Sequence, residues 1–265
     1  MLTRQIMIPL NDTVSRKQTL GIAVTVTLLA VASSCGSPAP AGVSVGAAAN
    51  LTEVLNEIAR SFRQSTGIPV KVSYGSTAQI ARQIDNGAPF DVFAAADTEH
   101  VDELIRKGRL DARTRSVYAR GILALWAPHG DELGIHSIRD LTKPAIRFIA
   151  VAQPDAAPYG KAAVETLQAL KLWESLRPKV VYANNINTAK QYAGSGNAEA
   201  AFTAYSLVIQ ERGSIVRVDG SLHAPLDQAL AVSTSSRCPL ARRFTAFVLG
   251  AAGRDILRRG GYILP

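Results

Sequence analysis

From Val43 onward the chain alternates short apolar runs with stretches whose apolar residues recur every three or four positions. Leu51, Val54, Leu55, Ile58, Ala59 and Phe62 share one face of a helix, and the apolar run Val43 to Val45 just before them reads as a strand. The joint between the two, Gly46-Ala47-Ala48-Ala49-Asn50-Leu51-Thr52-Glu53, organises the rest. Asn50 sits where an N-cap belongs, and Glu53 follows at capping-box distance. This predicts a turn of unpaired backbone N–H groups at the carboxyl end of a strand. An anion is the natural ligand for such donors, and a helix cap with no ligand is the plainer alternative.

The same alternation continues. The predicted helix 52–65 stops at Gly67, Pro69 to Tyr74 alternates as a strand, and Gly75-Ser76-Thr77 opens a second helix that ends at Asn86-Gly87. Phe90 to Ala95 has the apolar character of a buried parallel strand, and Asp97-Thr98 caps a helix with Val101, Leu104 and Ile105 on its core face. A second series begins with the apolar run Gly121 to Ala127. Strands follow at 146–152, 179–182, 200–204, 214–218 and 228–233, with helices at 161–172, 188–193, 239–249 and 254–259. Repeated strand-helix-strand units predict parallel, doubly wound sheets. Two α/β lobes fit better than one large sheet: lobe 1 from residues 43–122 plus 224–265, lobe 2 from residues 123–223. Crossings near Gly121 and Pro225 make a two-strand hinge, and the ligand belongs in the cleft at the carboxyl ends of the strands.

Four loops follow strands and open helices: Ala49-Asn50, Gly75-Ser76-Thr77, Pro158-Tyr159-Gly160 and Asn184-Asn185-Ile186-Asn187. Each offers backbone N–H groups at a helix start, and three add short hydroxyl or amide side chains. Taken singly, each has a bland reading: Ser76 and Thr77 as caps, Tyr159 as a surface turn residue, the asparagines as ordinary loop composition. No Arg or Lys sits inside these segments, although Lys161 follows one directly. A fully deprotonated oxyanion is held by neutral donors alone, whereas hydrogenphosphate carries a proton that needs an acceptor. With no carboxylate in the loops, a doubly charged tetrahedral oxyanion is favoured over phosphate.

Residues 1–41 read as a leader. Arg4, Arg16 and Lys17 precede an apolar run, Leu20 to Ala32, too short to span a bilayer, and small residues follow. The mature protein is therefore expected to be exported. Ala39-Pro40-Ala41 is a small-x-small cleavage site, while Ala32-Ser33-Ser34-Cys35 resembles a lipoprotein box with Cys35 as the lipidated residue, leaving a periplasmic or a lipid-anchored product. With Cys35 so used, Cys238 stands alone and no internal disulfide is expected. The formal charge of +8 lies partly in the leader and is otherwise scattered, which argues against a nucleic-acid surface and for a modest field that attracts small anions.

No enzyme signature stands in the context its chemistry needs. The one Gly-x-Ser-x-Gly match, Gly42-Val43-Ser44-Val45-Gly46, puts its serine inside the apolar run read as a strand and not on a strand-to-helix turn. There is no Ser-x-x-Lys, and His100, His129, His136 and His223 fall outside the four loops and off helical metal-ligand spacing. No cofactor is expected.

The segments Ala47-Ala48-Ala49-Asn50-Leu51, Tyr74-Gly75-Ser76-Thr77, Ile80-Ala81-Arg82-Gln83-Ile84 and Gly87-Ala88-Pro89-Phe90-Asp91-Val92-Phe93 closely resemble the periplasmic molybdate-binding proteins of bacterial ABC transporters. The resemblance continues through Pro158-Tyr159-Gly160-Lys161, Asn185-Ile186 and Gly196-Asn197-Ala198-Glu199-Ala200, and so covers the mature chain. It implies a type II periplasmic-binding-protein fold: a monomer that closes on molybdate, and on tungstate, and hands it to a membrane permease and its ATPase. It also implies that Asn50 and Thr77, with Ser76 beside it, hold the anion by side chain, and Tyr159 and Ile186 by backbone N–H, as oxyanion contacts without direct metal ligation. Tyr205 is a further candidate, because some members use a tyrosine hydroxyl from the segment Phe202-Thr203-Ala204-Tyr205-Ser206. Sulfate, thiosulfate or another tetrahedral oxyanion is the alternative ligand.

Overall fold

The structure, a computed structural model, describes residues 42–236 and 239–265. The leader with Cys35, and Cys238, lie outside the described residues. In chain order the elements are β1 (Val43–Ala48), α1 (Thr52–Thr66), β2 (Val70–Gly75), α2 (Thr77–Asp85), β3 (Val92–Ala94), α3 (Glu99–Arg106), β4 (Ser116–Arg120), β5 (Leu123–Ala127), α4 (Gly130–Leu133) and β6 (Ile149–Ala152). Then come α5 (Pro158–Ala169), α6 (Trp173–Leu176), β7 (Val180–Ala183), α7 (Ile186–Gly194), β8 (Ala200–Ala204), α8 (Tyr205–Val208), β9 (Ser214–Arg217), β10 (Asp227–Val232), α9 (Pro239–Leu249) and α10 (Ala251–Arg259).

Two five-stranded sheets result, ordered β2-β1-β3-β10-β4 and β7-β6-β8-β5-β9. In the first, β1 pairs in parallel with β2 and β3, while β10 lies antiparallel between β3 and β4. In the second, β6 pairs in parallel with β7 and β8, while β5 lies antiparallel between β8 and β9. The sheets are thus mixed where the sequence pattern predicts parallel ones. The antiparallel strands are the ones at the crossings: β5 follows Gly121-Ile122, where the chain enters the second sheet, and β10 follows Pro225, where it returns to the first.

Alternation along the strands explains why helices cover both faces of the first sheet. Val92, Ala94, Leu230 and Val232 pack with Leu55, Ile58, Phe62, Phe244 and Leu257 on one face. Phe93, Ala95, Ala229 and Ala231, one position out of phase, pack with Ile80, Ile84, Val101 and Leu104 on the other. Phe62 meets Phe244 and Phe247 edge-on at 5.3 and 5.4 Å, which fastens α9 to α1. The second sheet has its own core, and Ala48, Ala49 and Ala96 from the ends of the first sheet's strands join it. These alanines mark the seam where the two α/β halves meet.

β4 is absent from the sequence reading, because Ser116-Val117-Tyr118-Ala119-Arg120 is short and flanked by charge. Its flanking arginines are neutralised by partners remote in sequence, Arg115 by Asp102 at 2.5 Å and Arg120 by Asp227 at 2.6 Å. Helix α5 starts three residues earlier than the apolar period suggests, because Pro158 is pre-set for the first helical turn.

Candidate functional site

The joint between β1 and α1 differs from a simple cap. A 3-10 turn, Ala49–Leu51, precedes α1, so the cap position falls to Leu51 and no side-chain cap bond forms there. The predicted capping box of Asn50 and Glu53 is therefore replaced: the extra turn rotates Asn50 inward, to 1 % exposure. Its Nδ2 donates to Gln228 Oε1 and to the Tyr262 hydroxyl, both at 2.9 Å. The Tyr262 hydroxyl and Ser206 Oγ lie 2.9 and 3.1 Å from the Asn50 backbone oxygen and donate to it. Gln228, fully buried at the start of β10, donates from Nε2 to the Tyr159 hydroxyl at 2.9 Å. The Tyr118 hydroxyl stands 2.8 Å from Ala95 O and 2.9 Å from Gln228 Oε1, so one proton serves two acceptors.

This network joins both halves, since Asn50, Gln228, Tyr118 and Tyr262 come from elements around the first sheet and Tyr159 and Ser206 from elements around the second. Gly121, between β4 and β5, makes room for it: a Cβ there would lie 2.0 Å from the Tyr159 hydroxyl and 2.5 Å from Gln228 Nε2.

Ser76 caps α2, its Oγ accepting from Gln79 N at 3.2 Å, and Thr77 Oγ1 accepts from Ala96 N at 3.3 Å. Each hydroxyl keeps its proton to donate. Ala78 N donates to Ala156 O at 3.2 Å, a backbone bond from α2 to the loop before α5. At α5 itself Gly160 lets the helix start approach β6, where a Cβ would stand 2.1 Å from Ala152 O. Asn185 caps α7 by accepting from Thr188 N at 3.0 Å, and the turn that carries Asn50 packs against α7. Tyr159 and Ile186 stand at the first positions of α5 and α7 that carry an N–H, where a helix supplies no backbone acceptor four residues back.

The structure thus buries Asn50, Ser76, Thr77, Tyr159 and Ile186 along the seam between the halves. Tyr205 is placed differently. It opens α8 with its ring 5.1 Å from the Arg217 guanidinium, and it is the following residue, Ser206, that reaches Asn50.

Among the described residues every buried polar side chain is uncharged. Burial pushes the Tyr118, Tyr159 and Tyr262 hydroxyls above their ordinary value, so all three stay protonated and available as donors. No described trio of His, Cys, Asp or Glu is placed to hold a metal ion. Two buried side-chain atoms among the described residues lack a hydrogen-bond partner, Asn50 Oδ1 and Thr203 Oγ1. Gln228, Tyr118, Tyr262 and Ser206 are missed by the sequence reading. The available signal was a lone carboxamide opening the otherwise apolar strand Ala229-Leu230-Ala231-Val232.

Residues 43–263 match the model of the family described as bacterial extracellular solute-binding protein. The molybdate-binding protein ModA of Rhodobacter capsulatus is 35% identical over 240 residues, spanning 89% of this chain and 94% of that protein. Its counterpart from Azotobacter vinelandii is 35% identical over 237 residues, 86% of this chain and 92% of the relative. The solved periplasmic molybdate-binding protein of Azotobacter vinelandii superposes with a TM-score of 0.80 at 30% identity, over 84% of this chain and 99% of that one. Fold, seam and relatives agree, and the chain belongs to the bacterial extracellular solute-binding proteins, as a binder rather than an enzyme.

Proposed function

We propose that this chain captures molybdate, and with it tungstate, outside the cytoplasm and delivers it to an ABC permease and its ATPase. The observation that carries the reading is the burial of neutral donors from four strand-to-helix joints along one seam, with no charged side chain buried among the described residues. Such a set suits an oxyanion with no proton of its own. The proposed contacts are Asn50, Ser76 and Thr77 by side chain and Tyr159 and Ile186 by backbone N–H. Tyr205 is an outlying sixth, which would have to reach inward past Ser206.

Lobe 1 (43–122 plus 224–265) and lobe 2 (123–223) are the proposed moving parts, hinged near Gly121 and Pro225. Anion held by one lobe recruits donors from the other, so closure is favoured only when both sets are satisfied. The bonds from Gln228 to Tyr159, from Ser206 to Asn50 and from Ala78 to Ala156 tie the lobes once they close. About six hydrogen bonds to a dianion, each worth roughly 1.5 to 3 kcal/mol, support submicromolar affinity after ordering and desolvation are subtracted. Delivery by a monomer, released to the periplasm or tethered through Cys35, completes the proposal.

Sulfate shares the charge and shape of molybdate, so discrimination between them rests on cavity size. Isothermal titration of the purified chain with molybdate, tungstate, sulfate and phosphate tests the reading. Molybdate and tungstate should bind at least about a hundredfold more tightly than the other two, a gap of about 2.7 kcal/mol. Equal or tighter binding of sulfate would move the assignment to the alternative oxyanion.

A further inference from the structure

Asn50 presents a conflict. It is almost fully buried, gives both Nδ2 protons to Gln228 Oε1 and the Tyr262 hydroxyl, and leaves Oδ1 with no partner. In that arrangement its free end is an acceptor, which repels an oxyanion. Turning the Asn50 and Gln228 carboxamides end for end removes the conflict. Gln228 Nε2 then donates to Asn50 Oδ1 and to the Tyr118 hydroxyl, whose own proton goes to Ala95 O. Gln228 Oε1 accepts from the Tyr159 hydroxyl. Tyr262 donates to Asn50 Oδ1, and Ser206 Oγ keeps the Asn50 backbone oxygen. Every pair named already stands within hydrogen-bond distance, and Asn50 Nδ2 is left where the orphaned Oδ1 stood.

We propose that Gln228 is a positioning residue for anion capture: by turning together with Asn50 it holds Nδ2 out as a donor to the oxyanion. The inference rests on the oxyanion reading above. The role needs a side chain with a donor and an acceptor on one planar group. Glutamate supplies only the acceptor, and methionine, of similar shape, supplies neither. Gln228 also touches the hydroxyl of Tyr159, whose backbone N–H is a proposed contact from the other half, so setting Asn50 and closing the seam are one event.

The test is isothermal titration of molybdate into the purified wild-type chain, Gln228→Met, Asn50→Leu and the double variant. Gln228→Met and Asn50→Leu should each weaken binding at least about tenfold, and the double variant should match Asn50→Leu within about twofold, because the two residues act as one unit. Wild-type affinity in Gln228→Met, or losses that multiply in the double variant, overturns the positioning role and leaves molybdate binding standing. Absence of molybdate binding in the wild type overturns the reading and this inference together. Phosphate binding more tightly than molybdate also overturns it, because hydrogenphosphate would then be using Asn50 Oδ1 as its acceptor. Side-chain amide NMR of the wild type decides the matter even if Gln228→Met fails to fold. Molybdate should shift the amide proton pairs of both Asn50 and Gln228, and an unmoved Gln228 pair overturns the role.

Discussion

Gln228 donates from Nε2 to the Tyr159 hydroxyl across 2.9 Å, linking the last strand of the first sheet to the helix start beside the second. Both side chains are buried, so neither finds water when the other is lost. The bond is accessible only because residue 121, on the chain crossing beside it, has no Cβ.

Gly121→Ala should therefore damage binding more than an ordinary surface change. The added methyl would stand 2.0 Å from the Tyr159 hydroxyl, and overpacking of this kind costs about 1 to 3 kcal/mol. The expected outcome is a lower Tm together with at least about tenfold weaker molybdate binding. Unchanged affinity in calorimetry would separate the network from closure.

Replacing Asn50 and Thr77 together by Ala removes two side-chain donors to the anion. At roughly 1.5 kcal/mol or more for each hydrogen bond to a charged group, affinity should fall by about a hundredfold or more. Titration of the double variant checks this, with thermal unfolding to confirm that it is folded.

Phe62→Ala tests the core independently of the cleft. Phe62 is fully buried and edge-on to Phe244 and Phe247, so its truncation should cost about 3 to 5 kcal/mol of stability. Denaturant unfolding should show that loss, while molybdate affinity of the folded fraction stays within about twofold.

His100 gives a pH dependence with a definite sign. Its hydrogen bond to Asp97, 2.7 Å from Nδ1 to Oδ2, raises the imidazole above the ordinary 6.5, with Glu103 and Glu99 adding to the effect against desolvation. A raised folded-state value means that the stabilisation is complete below 6.5 and fades as pH climbs through the raised value. The Tm difference between wild type and His100→Gln should accordingly be larger at pH 5.5 than at pH 8.5. A difference that grows with pH would contradict the pairing.

Much of this architecture was legible in the chain. The periodicity of residues 51–62 and the apolar runs around Val43, Phe90 and Ala200 specify helices and buried strands, and strand-to-helix joints of this kind carry the proposed contacts. The sense of β5 and β10 was not legible, because it depends on where the chain crosses between sheets and not on any local pattern. The orientation of Asn50 escaped for a similar reason. A 3-10 turn and a helix cap share the same residue preferences, and what decides between them is the carboxamide of Gln228, 178 positions away. Nothing in the sequence singles out Tyr118 or Tyr262, and only their hydroxyl partners in the fold reveal the polar network.

If uncharged N–H and O–H groups from both halves of the chain enclose one proton-free dianion, diffraction from crystals grown with molybdate will place a molybdenum peak on the seam, its oxygens within about 3 Å of Asn50 Nδ2, Thr77 Oγ1 and the backbone nitrogens of Tyr159 and Ile186. A peak elsewhere, or one bonded to Arg, Lys or a direct metal ligand, would contradict it.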